Sequence, residues 1–363
     1  MTKIENLLNN TTENIELDKL YMQRCIWLAR HAISHVAPNP MVGAVIVYQG
    51  EIIGEGYHHK YGQPHAEPIA INSVKNKELL KKSTLYVSLE PCSHYGKTPP
   101  CADLIVKCEI PRVVIGTYDP NDKVSGRGVK RLLEAGIEVK VGVLVAECRK
   151  LNKHFFMFHE KKRPYITLKW AQTQDGFMDK IRESSNDFPL QISNPVTRLF
   201  THKMRSENHS IMVSTNTVLL DNPSLTVRNW TGKNPIRIAL DRQGIIPHDF
   251  HLLDAKVQTY IFSNSEKISS PDVEYIHEEF DKDSLENIVK KIYELNINSV
   301  LVEGGAKLLN SFIEKNLWDE ANVEISNQIV EKGIIAPVLK ANVSSLEEFN
   351  GHSWLNYKND KQS

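Results

Sequence analysis

The sequence contains no apolar run long enough for a membrane-spanning helix, which excludes a protein anchored by such helices. It also has no excess of one charge, because 44 Lys and Arg residues balance 44 Asp and Glu residues. A chain without net charge lacks the global basic surface of a dedicated DNA or long-RNA binder, although local patches remain possible. Residues 1–18 lack the basic start and apolar middle of a secretion signal. We therefore expect a cytoplasmic protein that binds neither a membrane nor nucleic acid.

Cysteine is scarce and unevenly placed, because all five cysteines lie in the first 150 residues. Their odd number argues against a disulfide framework and favours metal binding or catalysis. Cys25, Cys108 and Cys148 are expected to be small buried hydrophobic residues. Cys92 and Cys101 remain as the candidates for chemistry.

A length of 363 residues predicts two domains of about 150 to 200 residues each. Hydrophobic residues make up 41% and charged residues 24%, which provides enough apolar material for two cores. A basic stretch at 161–164 marks the expected boundary. We predict a polar N-terminal extension at residues 1–17, a first domain at 18–160 and a second domain at 164–363.

Four residues of the first domain predict a catalytic zinc site: His65, Glu67, Cys92 and Cys101. One imidazole and two thiolates give a single zinc ion three protein ligands and leave the fourth position for water. Glu67 can then move protons for that water without binding the metal. Such a site predicts that a zinc-activated hydroxide attacks an amidine-like ring carbon and that ammonia leaves. A structural zinc site would need a fourth protein ligand, for which His94 is the one candidate.

Strands alternate with helices in both domains, which predicts α/β folds with largely parallel sheets covered on both faces. In the first domain we expect strands at 42–47, 51–57, 83–88, 112–116 and 137–139, and helices at 18–34, 65–76 and 101–108. In the second we expect strands at 165–171, 210–213, 237–241, 259–262 and 299–302, and helices at 194–205 and 306–316. The tail beyond Ser345 is expected to form a loose terminal strand.

The best nucleotide-site candidate of the second domain is the turn Glu303-Gly304-Gly305, between a strand and a helix. Glycines at such a turn let a phosphate approach the backbone amides of the helix start. The signal is weak by itself because Gly-Gly turns are common. The segment 126–128 superficially resembles a dinucleotide fingerprint, but it lacks the third glycine and a preceding strand.

Segments 65–67 and 91–92 resemble the cytidine and deoxycytidylate deaminase superfamily, with its H-x-E and P-C-x-x-C signature. Here eight residues, not two, separate Cys92 from Cys101. This longer segment resembles the bifunctional riboflavin biosynthesis deaminase-reductase family. The resemblance runs co-linearly over roughly residues 18–340 and includes the segments 38–43, 119–121, 135–139, 169–171, 217–228 and 302–305.

The resemblance implies a cytidine deaminase-like three-layer α/β/α domain followed by a dihydrofolate reductase-like α/β domain. The first would convert 2,5-diamino-6-(5-phosphoribosylamino)pyrimidin-4(3H)-one to 5-amino-6-(5-phosphoribosylamino)uracil. The second would reduce the ribosyl group to ribityl with NADPH. It further implies zinc as the metal, a small pyrimidine ribotide as substrate and a homo-oligomeric assembly.

Within the deaminase domain, the resemblance makes Glu67 the catalytic proton carrier and Asn39 a substrate ligand. The alternative for Asn39 is a plain turn residue between two prolines. His58, His59 and His94 could neighbour the substrate, but we expect them to be exposed loop histidines.

Within the reductase domain, the resemblance assigns cofactor contacts and substrate contacts to separate sets. NADPH would contact Ala171, Thr217, Asp221, Gly305, Ala306, Lys307, Leu308, Leu309, Asn310 and Ser311. The substrate would contact Arg205, Leu225, Arg228 and Glu303. The guanidinium fork of each arginine suits a phosphate, and an ordinary surface arginine is the alternative. Lys169 and Asp175 are expected to be supporting residues.

The sequence departs from the family at Pro189 and Gln191, where many members have serine and tryptophan, and at Arg242, where serine is common. These departures leave the nicotinamide packing near 185–193 open. One rival interpretation is a zinc-dependent nucleic-acid or nucleoside base deaminase with a non-reductase C-terminal domain. It predicts the short cysteine spacing and leaves residues 164–363 unexplained. A second rival is a zinc-stabilised binding module fused to a nucleotide sensor.

Overall fold

The computed structural model describes residues 3–94, 99–121 and 125–360, with side chains described from residue 14 onward. The chain forms two compact units, Met1–Lys161 and Lys162–Ser363, and each is described here by itself. In the described part of the chain, no helix combines the length and the hydrophobicity that crossing a membrane requires.

The first unit is built on a five-stranded sheet in the order β2-β1-β3-β4-β5. β1 is antiparallel to both of its neighbours, whereas β3, β4 and β5 are parallel. The strands are β1 (Gly43–Tyr48), β2 (Glu51–Tyr57), β3 (Thr84–Val87), β4 (Arg112–Ile115) and β5 (Glu138–Val141). The helices are α1 (Lys3–Arg30), α2 (Ala66–Ser73), α3 (Cys101–Lys107), α4 (Arg127–Glu134), α5 (Val145–Leu151) and α6 (Lys153–Glu160).

Side chains that alternate along the strands fill two cores, one on each face of this sheet. Ala44 and Ile46 of β1 pack into the core that α2, α3 and α4 cover. Val45 and Val47 pack into the opposite core, which α1 and α5 cover. The three-layer α/β/α architecture expected for this domain is therefore confirmed.

α1 differs most from the sequence-based expectation. It begins at Lys3 and ends at Arg30, whereas a helix was expected over 18–34 after a polar extension. The segment contains no glycine or proline to interrupt it. Asp18 then anchors the helix to the sheet, because its carboxylate, 2% exposed as a residue, pairs with Arg112 and Lys140. Of the segments named above, residues 1–2, 95–98, 122–124 and 361–363 lie outside the described residues.

The second unit is built on a nine-stranded sheet in the order β11-β10-β9-β8-β12-β6-β13-β16-β15. From β11 to β13 all neighbours are parallel, and β16 and β15 add an antiparallel edge. The strands are β6 (Tyr165–Gln172), β7 (Phe177–Asp179), β8 (Ser210–Ser214), β9 (Ile236–Leu240), β10 (Thr259–Ser263), β11 (Val273–His277), β12 (Ser299–Glu303), β13 (Glu320–Ile325), β14 (Ile334–Ile335), β15 (Val343–Phe349) and β16 (His352–Lys358). The helices are α7 (Pro195–Glu207), α8 (Thr215–Asp221), α9 (Ser284–Glu294) and α10 (Ala306–Glu314).

The C-terminal tail is part of this sheet rather than a loose strand. β16 pairs with β13 from Glu320 to Ile325, and β15 closes a hairpin beside it. Trp354 is only 5% exposed and packs near Phe200 of α7. Its packing partners are distant in the chain, so the sequence alone does not show where it packs.

The parallel strands place their carboxyl ends at one edge of the sheet, where open α/β sheets bind ligands. β8 leads directly into α8 there, and β12 leads into α10 through Gly304 and Gly305. The second of these is the junction that the sequence marked as a nucleotide-site candidate.

Candidate active sites

The first candidate site brings His65, Cys92 and Cys101 together. His65 is the N-cap of α2, Cys101 is the first residue of α3, and Cys92 lies in the loop after β3. His65 Nδ1 lies 3.7 Å from Cys92 Sγ and 3.4 Å from Cys101 Sγ. All three potential ligand atoms fall within 4.8 Å of one another, and His94 is not a member of the group. One imidazole and two thiols at these separations fit zinc and leave a coordination position open.

Hydrogen bonding and burial shift the pKa values of the three side chains in this cluster. Hydrogen bonds from Cys101 and His65 lower the pKa of Cys92 to about 4. The pKa of Cys101 is raised because it shares a proton with Cys92 and is buried. Bonding to Cys92 raises the pKa of His65 to about 8. A metal ion binds deprotonated ligands, so it would displace the protons that His65 and Cys101 hold.

Glu67 lies in the first turn of α2 and is 3% exposed. Burial is the main cause that raises its pKa to about 7, and the negative charge of Cys92 adds to it. Its Oε2 atom has no hydrogen-bond partner among the described residues. A buried, unpaired carboxylate oxygen beside three metal ligands is suited to a water or substrate proton.

His58 is buried at 2% exposure, so the expectation of an exposed loop histidine is wrong for this residue. Its Nδ1 lies 3.0 Å from the carbonyl oxygen of Pro64, which can only accept a hydrogen bond. The other ring nitrogen, Nε2, therefore accepts from Asn39 Nδ2 at 3.2 Å. This contact leaves Asn39 Oδ1 as an acceptor. His59 and His94 are exposed, as expected.

Glu90 is a residue whose role the sequence did not reveal. Its buried carboxylate accepts four backbone N–H groups, those of Asp119, Gly126, Gly128 and Val129, at 2.9–3.3 Å. A Cβ at Gly128 would lie 2.1 Å from the carbonyl oxygen of Pro91, so only glycine permits this approach. Glu90 thereby ties two loops and the start of α4 to the chain just before Cys92.

The second candidate site surrounds the starts of α8 and α10. Gly304 and Gly305 have φ angles of +83° and +78°, which glycine adopts without strain. A Cβ at Gly305 would lie 2.5 Å from Ser214 Oγ, and one at Gly304 would lie 3.1 Å from the Thr217 side chain. The two glycines thus let the backbone pass close to the hydroxyl groups of Ser214 and Thr217. Free amides at a helix start and an uncrowded backbone fit a dinucleotide phosphate.

The other predicted cofactor residues lie in or near this region. Ala171 is near the carboxyl end of β6, and Asp221 ends α8. Asp221 Oδ1 accepts a hydrogen bond from Arg182 at 2.7 Å, a contact that the sequence did not suggest. Leu308 and Leu309 pack in the hydrophobic core, so only their backbone can face a ligand. The rest of the predicted α10 segment is Ala306, Lys307, Asn310 and Ser311.

Two of the predicted substrate residues bind each other. Arg205 donates from Nε and Nη2 to the two carboxylate oxygens of Glu303, at 2.9 and 2.6 Å. Burial would raise the pKa of Glu303, but Arg205 outweighs it and holds that pKa low. Because its fork is occupied, Arg205 is less available to a phosphate than Arg228, whose Nη1 contacts only Ser224 Oγ among the described side chains. Leu225 is buried in a neighbouring core.

One supporting residue, Asp175, and one departure from the family, Gln191, lie in loops of the second unit. Asp175 accepts from Thr173 Oγ1 and from the amides of Val330 and Glu331, so it holds a turn together. The backbone carbonyl of Gln191 accepts from Gln328 Nε2 at 2.9 Å, a contact that the side chain at position 191 does not determine.

Comparisons with known proteins match both units. Residues 15–117 match the cytidine and deoxycytidylate deaminase zinc-binding region, and residues 164–330 match the RibD C-terminal domain. The chain is 42% identical to the riboflavin biosynthesis protein RibD of Aquifex aeolicus, over 88% of this chain and 89% of that one. It is 35% identical to RibD of Escherichia coli, over 86% and 88% of the two chains.

A solved structure gives the same result for the fold. The diaminohydroxyphosphoribosylaminopyrimidine deaminase/5-amino-6-(5-phosphoribosylamino)uracil reductase of Thermotoga maritima superposes with a TM-score of 0.85 at 37% identity. The match covers 95% of this chain and 99% of that one. The predicted deaminase-like and reductase-like folds are confirmed, and residues 164–330, which the nucleic-acid deaminase interpretation left unexplained, have a family.

Proposed function

The chain belongs to the RibD family of bifunctional riboflavin biosynthesis enzymes, and on that premise we propose the reaction and the residues of each unit. The first unit hydrolyses the amidine-like carbon of 2,5-diamino-6-(5-phosphoribosylamino)pyrimidin-4(3H)-one, which releases ammonia and leaves 5-amino-6-(5-phosphoribosylamino)uracil. The second unit reduces the ribosyl group of that product to ribityl with NADPH. The observation that carries the proposal is the cluster of His65, Cys92 and Cys101 beside Glu67, whose Oε2 atom has no hydrogen-bond partner among the described residues.

The deaminase chemistry rests on this cluster. His65, Cys92 and Cys101 would hold the metal. When bound, zinc lowers the pKa of a water molecule enough for nucleophilic attack near neutral pH. Glu67 would accept one proton from the attacking water at Oε2 and deliver it to the adjacent ring nitrogen. It would then accept the second proton from the hydroxyl on the attacked carbon and deliver it to the amine, which leaves as ammonia while that carbon becomes a carbonyl. A pKa raised to about 7 suits a group that must both take up and release protons.

Asn39 orients the pyrimidine for this attack. Because His58 accepts from the Asn39 amide nitrogen, Asn39 Oδ1 is left to accept from an N–H group of the substrate. The exocyclic amines of a diaminopyrimidine supply such donors.

The reductase chemistry requires one hydride and one proton. NADPH supplies the hydride when it is bound. The backbone amides of Gly305, Ala306 and Lys307 at the start of α10 would hold its phosphates, with the Thr217 hydroxyl nearby. Arg228 binds the substrate phosphate, and the Arg205–Glu303 pair lines the sugar.

Replacing Glu67 with Gln tests the deaminase assignment. We expect ammonia release to fall about 10²- to 10⁴-fold, the usual contribution of a general acid-base group. Zinc content and NADPH oxidation with the deaminated substrate should stay unchanged. Glu78→Gln, at an exposed carboxylate, is the matched control. Retention of deamination by a zinc-loaded Glu67→Gln protein would contradict the proton-carrier role.

For assembly and location we propose a homo-oligomer in the cytoplasm. β15 is an edge strand with exposed side chains and is therefore open to pairing. Thiols that must bind metal favour a reducing compartment. Light scattering of the purified protein and fractionation of cells test the two statements.

A further inference from the structure

A buried group of ionisable side chains in the second unit is not used by the chemistry described above. Glu324 of β13 is 0% exposed, and each of its carboxylate oxygens accepts one hydrogen bond. Ser193 Oγ donates to Oε2 at 2.5 Å, and His352 Nδ1 lies 2.7 Å from Oε1. A carboxylate oxygen only accepts, so His352 carries its proton on Nδ1. Two other segments, the loop that contains Ser193 and strand β16, thus hold this carboxylate in one orientation.

Strand register places Glu324 beside the proposed cofactor and substrate residues. In the pairing of β6 with β13, Ala171 stands opposite Glu324 and Lys169 stands opposite Asn322. Because side chains alternate along a strand, Lys169, Ala171 and Glu324 share one face of the sheet. On the other side of β6, Glu303 of the neighbouring strand β12 stands directly opposite Lys169. Lys169 therefore lies between the proposed cofactor strand and the proposed sugar contacts.

Lys169 is a buried cation without a hydrogen bond from its ammonium group to any described residue. It is 8% exposed, and its Nζ atom lies 6.0 Å from the centre of the Trp354 ring. The charged groups that face it are Glu303 from β12, Glu324 from β13, and Arg205 from α7. His202 of α7 lies near Glu303, Arg205 and Arg228, and His352 of β16 is bonded to Glu324.

The hydrogen bonds of this group pair Glu303 with Arg205 and leave Lys169 without a bonded partner among the described residues. Both oxygens of Glu303 are already bonded to Arg205, whose guanidinium is permanently charged. Glu324 is instead bonded by a hydroxyl and an imidazole N–H, neither of which needs to carry charge. Lys169 is the cation left over, and Glu324 is the anion left over. A buried charge persists only when a partner compensates it.

We propose that Glu324 is a positioning residue of the reductase, acting as the counter-ion that keeps the Lys169 ammonium charged and available to the sugar oxygens of the substrate. This inference rests on the proposed reductase function. Ser193 and His352 serve it by fixing the direction of the Glu324 carboxylate. The unshared N–H groups of Lys169 then face a hydroxyl-rich ligand as hydrogen-bond donors.

The direction of the Lys169 pKa agrees with this geometry. Burial lowers it, whereas Glu303 and Glu324 oppose that effect. The reductase should therefore lose activity on the alkaline side, as Lys169 loses its proton. Without Glu324 the opposing effect weakens, and the alkaline limb should move to lower pH.

The test is the pH profile of NADPH oxidation by full-length Glu324→Gln, with ammonia release as the internal control for folding. We expect the alkaline limb of kcat to move down by about one pH unit, a tenfold loss at alkaline pH with little change near pH 6. Glu347→Gln, at an exposed carboxylate on neighbouring β15, should behave like the parent chain. Equal loss at every pH, or no displacement, would overturn the proposal.

A second readout does not depend on turnover. In ligand-free protein labelled with ¹³C-lysine, Glu324→Gln should lower the titration midpoint of the Lys169 signal, which Lys169→Arg identifies. An unchanged midpoint would overturn the inference even if the reductase were inactive. NADPH oxidation absent from the parent chain would instead count against the proposed function. If Glu324→Gln fails to fold, two substitutions of His352 replace it. His352→Asn keeps a hydrogen-bond donor to Glu324, so the Lys169 signal should titrate as in the parent chain, whereas His352→Leu removes the donor and should move the midpoint. Equal Lys169 midpoints in the two variants would overturn the proposal.

Discussion

Replacing Glu90 with Gln preserves the size of a buried side chain but removes the charge that four backbone amides share. Oε2 accepts from Asp119 N and Gly126 N, and Oε1 accepts from Gly128 N and Val129 N. A glutamine has one acceptor oxygen, so its amide nitrogen must face one pair of N–H donors. Two backbone amides near the metal cluster would lose their partner.

The expected cost follows from those two amides. A buried polar group left without a partner costs about 1–3 kcal/mol, so the pair costs about 2–6 kcal/mol. In a unit of this size, each kcal/mol lowers the melting temperature by about 2–4 °C. With a middle value of about 4 kcal/mol, we expect the first unit to melt about 8–16 °C lower than in the parent chain. The loosened loop should also release zinc faster, because Cys92 lies two residues after Glu90.

Calorimetry of the zinc-loaded, full-length protein measures this effect. Only the transition of the first unit should move, and NADPH oxidation with the deaminated substrate should stay unchanged. Zinc release to a colorimetric chelator should be faster than in the Glu78→Gln control, whose carboxylate is 81% exposed. A Glu90→Gln protein with the melting temperature and zinc release of the parent chain would refute the reasoning.

Two further substitutions test the second site and the fold. Gly305→Ala places a Cβ 2.5 Å from Ser214 Oγ at a φ of +78°. We therefore expect the KM for NADPH to rise at least tenfold while ammonia release stays unchanged. An unchanged KM would show that Gly305 is not part of the cofactor site. Burial would raise the pKa of Asp18, but Arg112 and Lys140 outweigh it and lower that pKa. The stability this provides is present above the pKa of the unfolded chain and is lost as pH falls through the folded value. Asp18→Asn should therefore destabilise the first unit by about 3 kcal/mol at pH 7 and by progressively less as the pH falls below the unfolded value of about 3.9, measured by urea denaturation over that range. A loss that does not shrink with falling pH would contradict the ion-pair explanation.

The parts of the fold that the sequence predicted are those with local signals. The helix starts at His65 and Cys101 were predicted to within one residue, because each follows a loop with proline and begins an apolar repeat. The parallel strands were predicted from short runs of branched apolar residues. The metal ligands could be named for a similar reason, because residue type and spacing alone specify a zinc chemistry.

The parts that the sequence did not reveal depend on contacts between distant residues. Ser193 and Glu324 are 131 positions apart, and Glu90 is 36 positions from Gly126. No local pattern distinguishes these carboxylates from solvated surface charges. His58 was misjudged for the same reason, since its burial depends on how Asn39 folds against it. Polar residues inside a protein take their role from partners, and single-sequence reasoning sees partners only when they are neighbours.

The two candidate sites nevertheless share one physical device, the junction between a strand or loop and the start of a helix. In the first unit, α2 begins immediately after His65 and contains Glu67 in its first turn. In the second, α10 begins immediately after Gly305. The start of a helix offers free N–H groups and the positive end of its dipole, which favours thiolate and carboxylate in one site and phosphate in the other. Because the same backbone feature stabilises both kinds of anion, the side chains alone set the difference: histidine and cysteine there make a metal site, and glycines make room for a nucleotide.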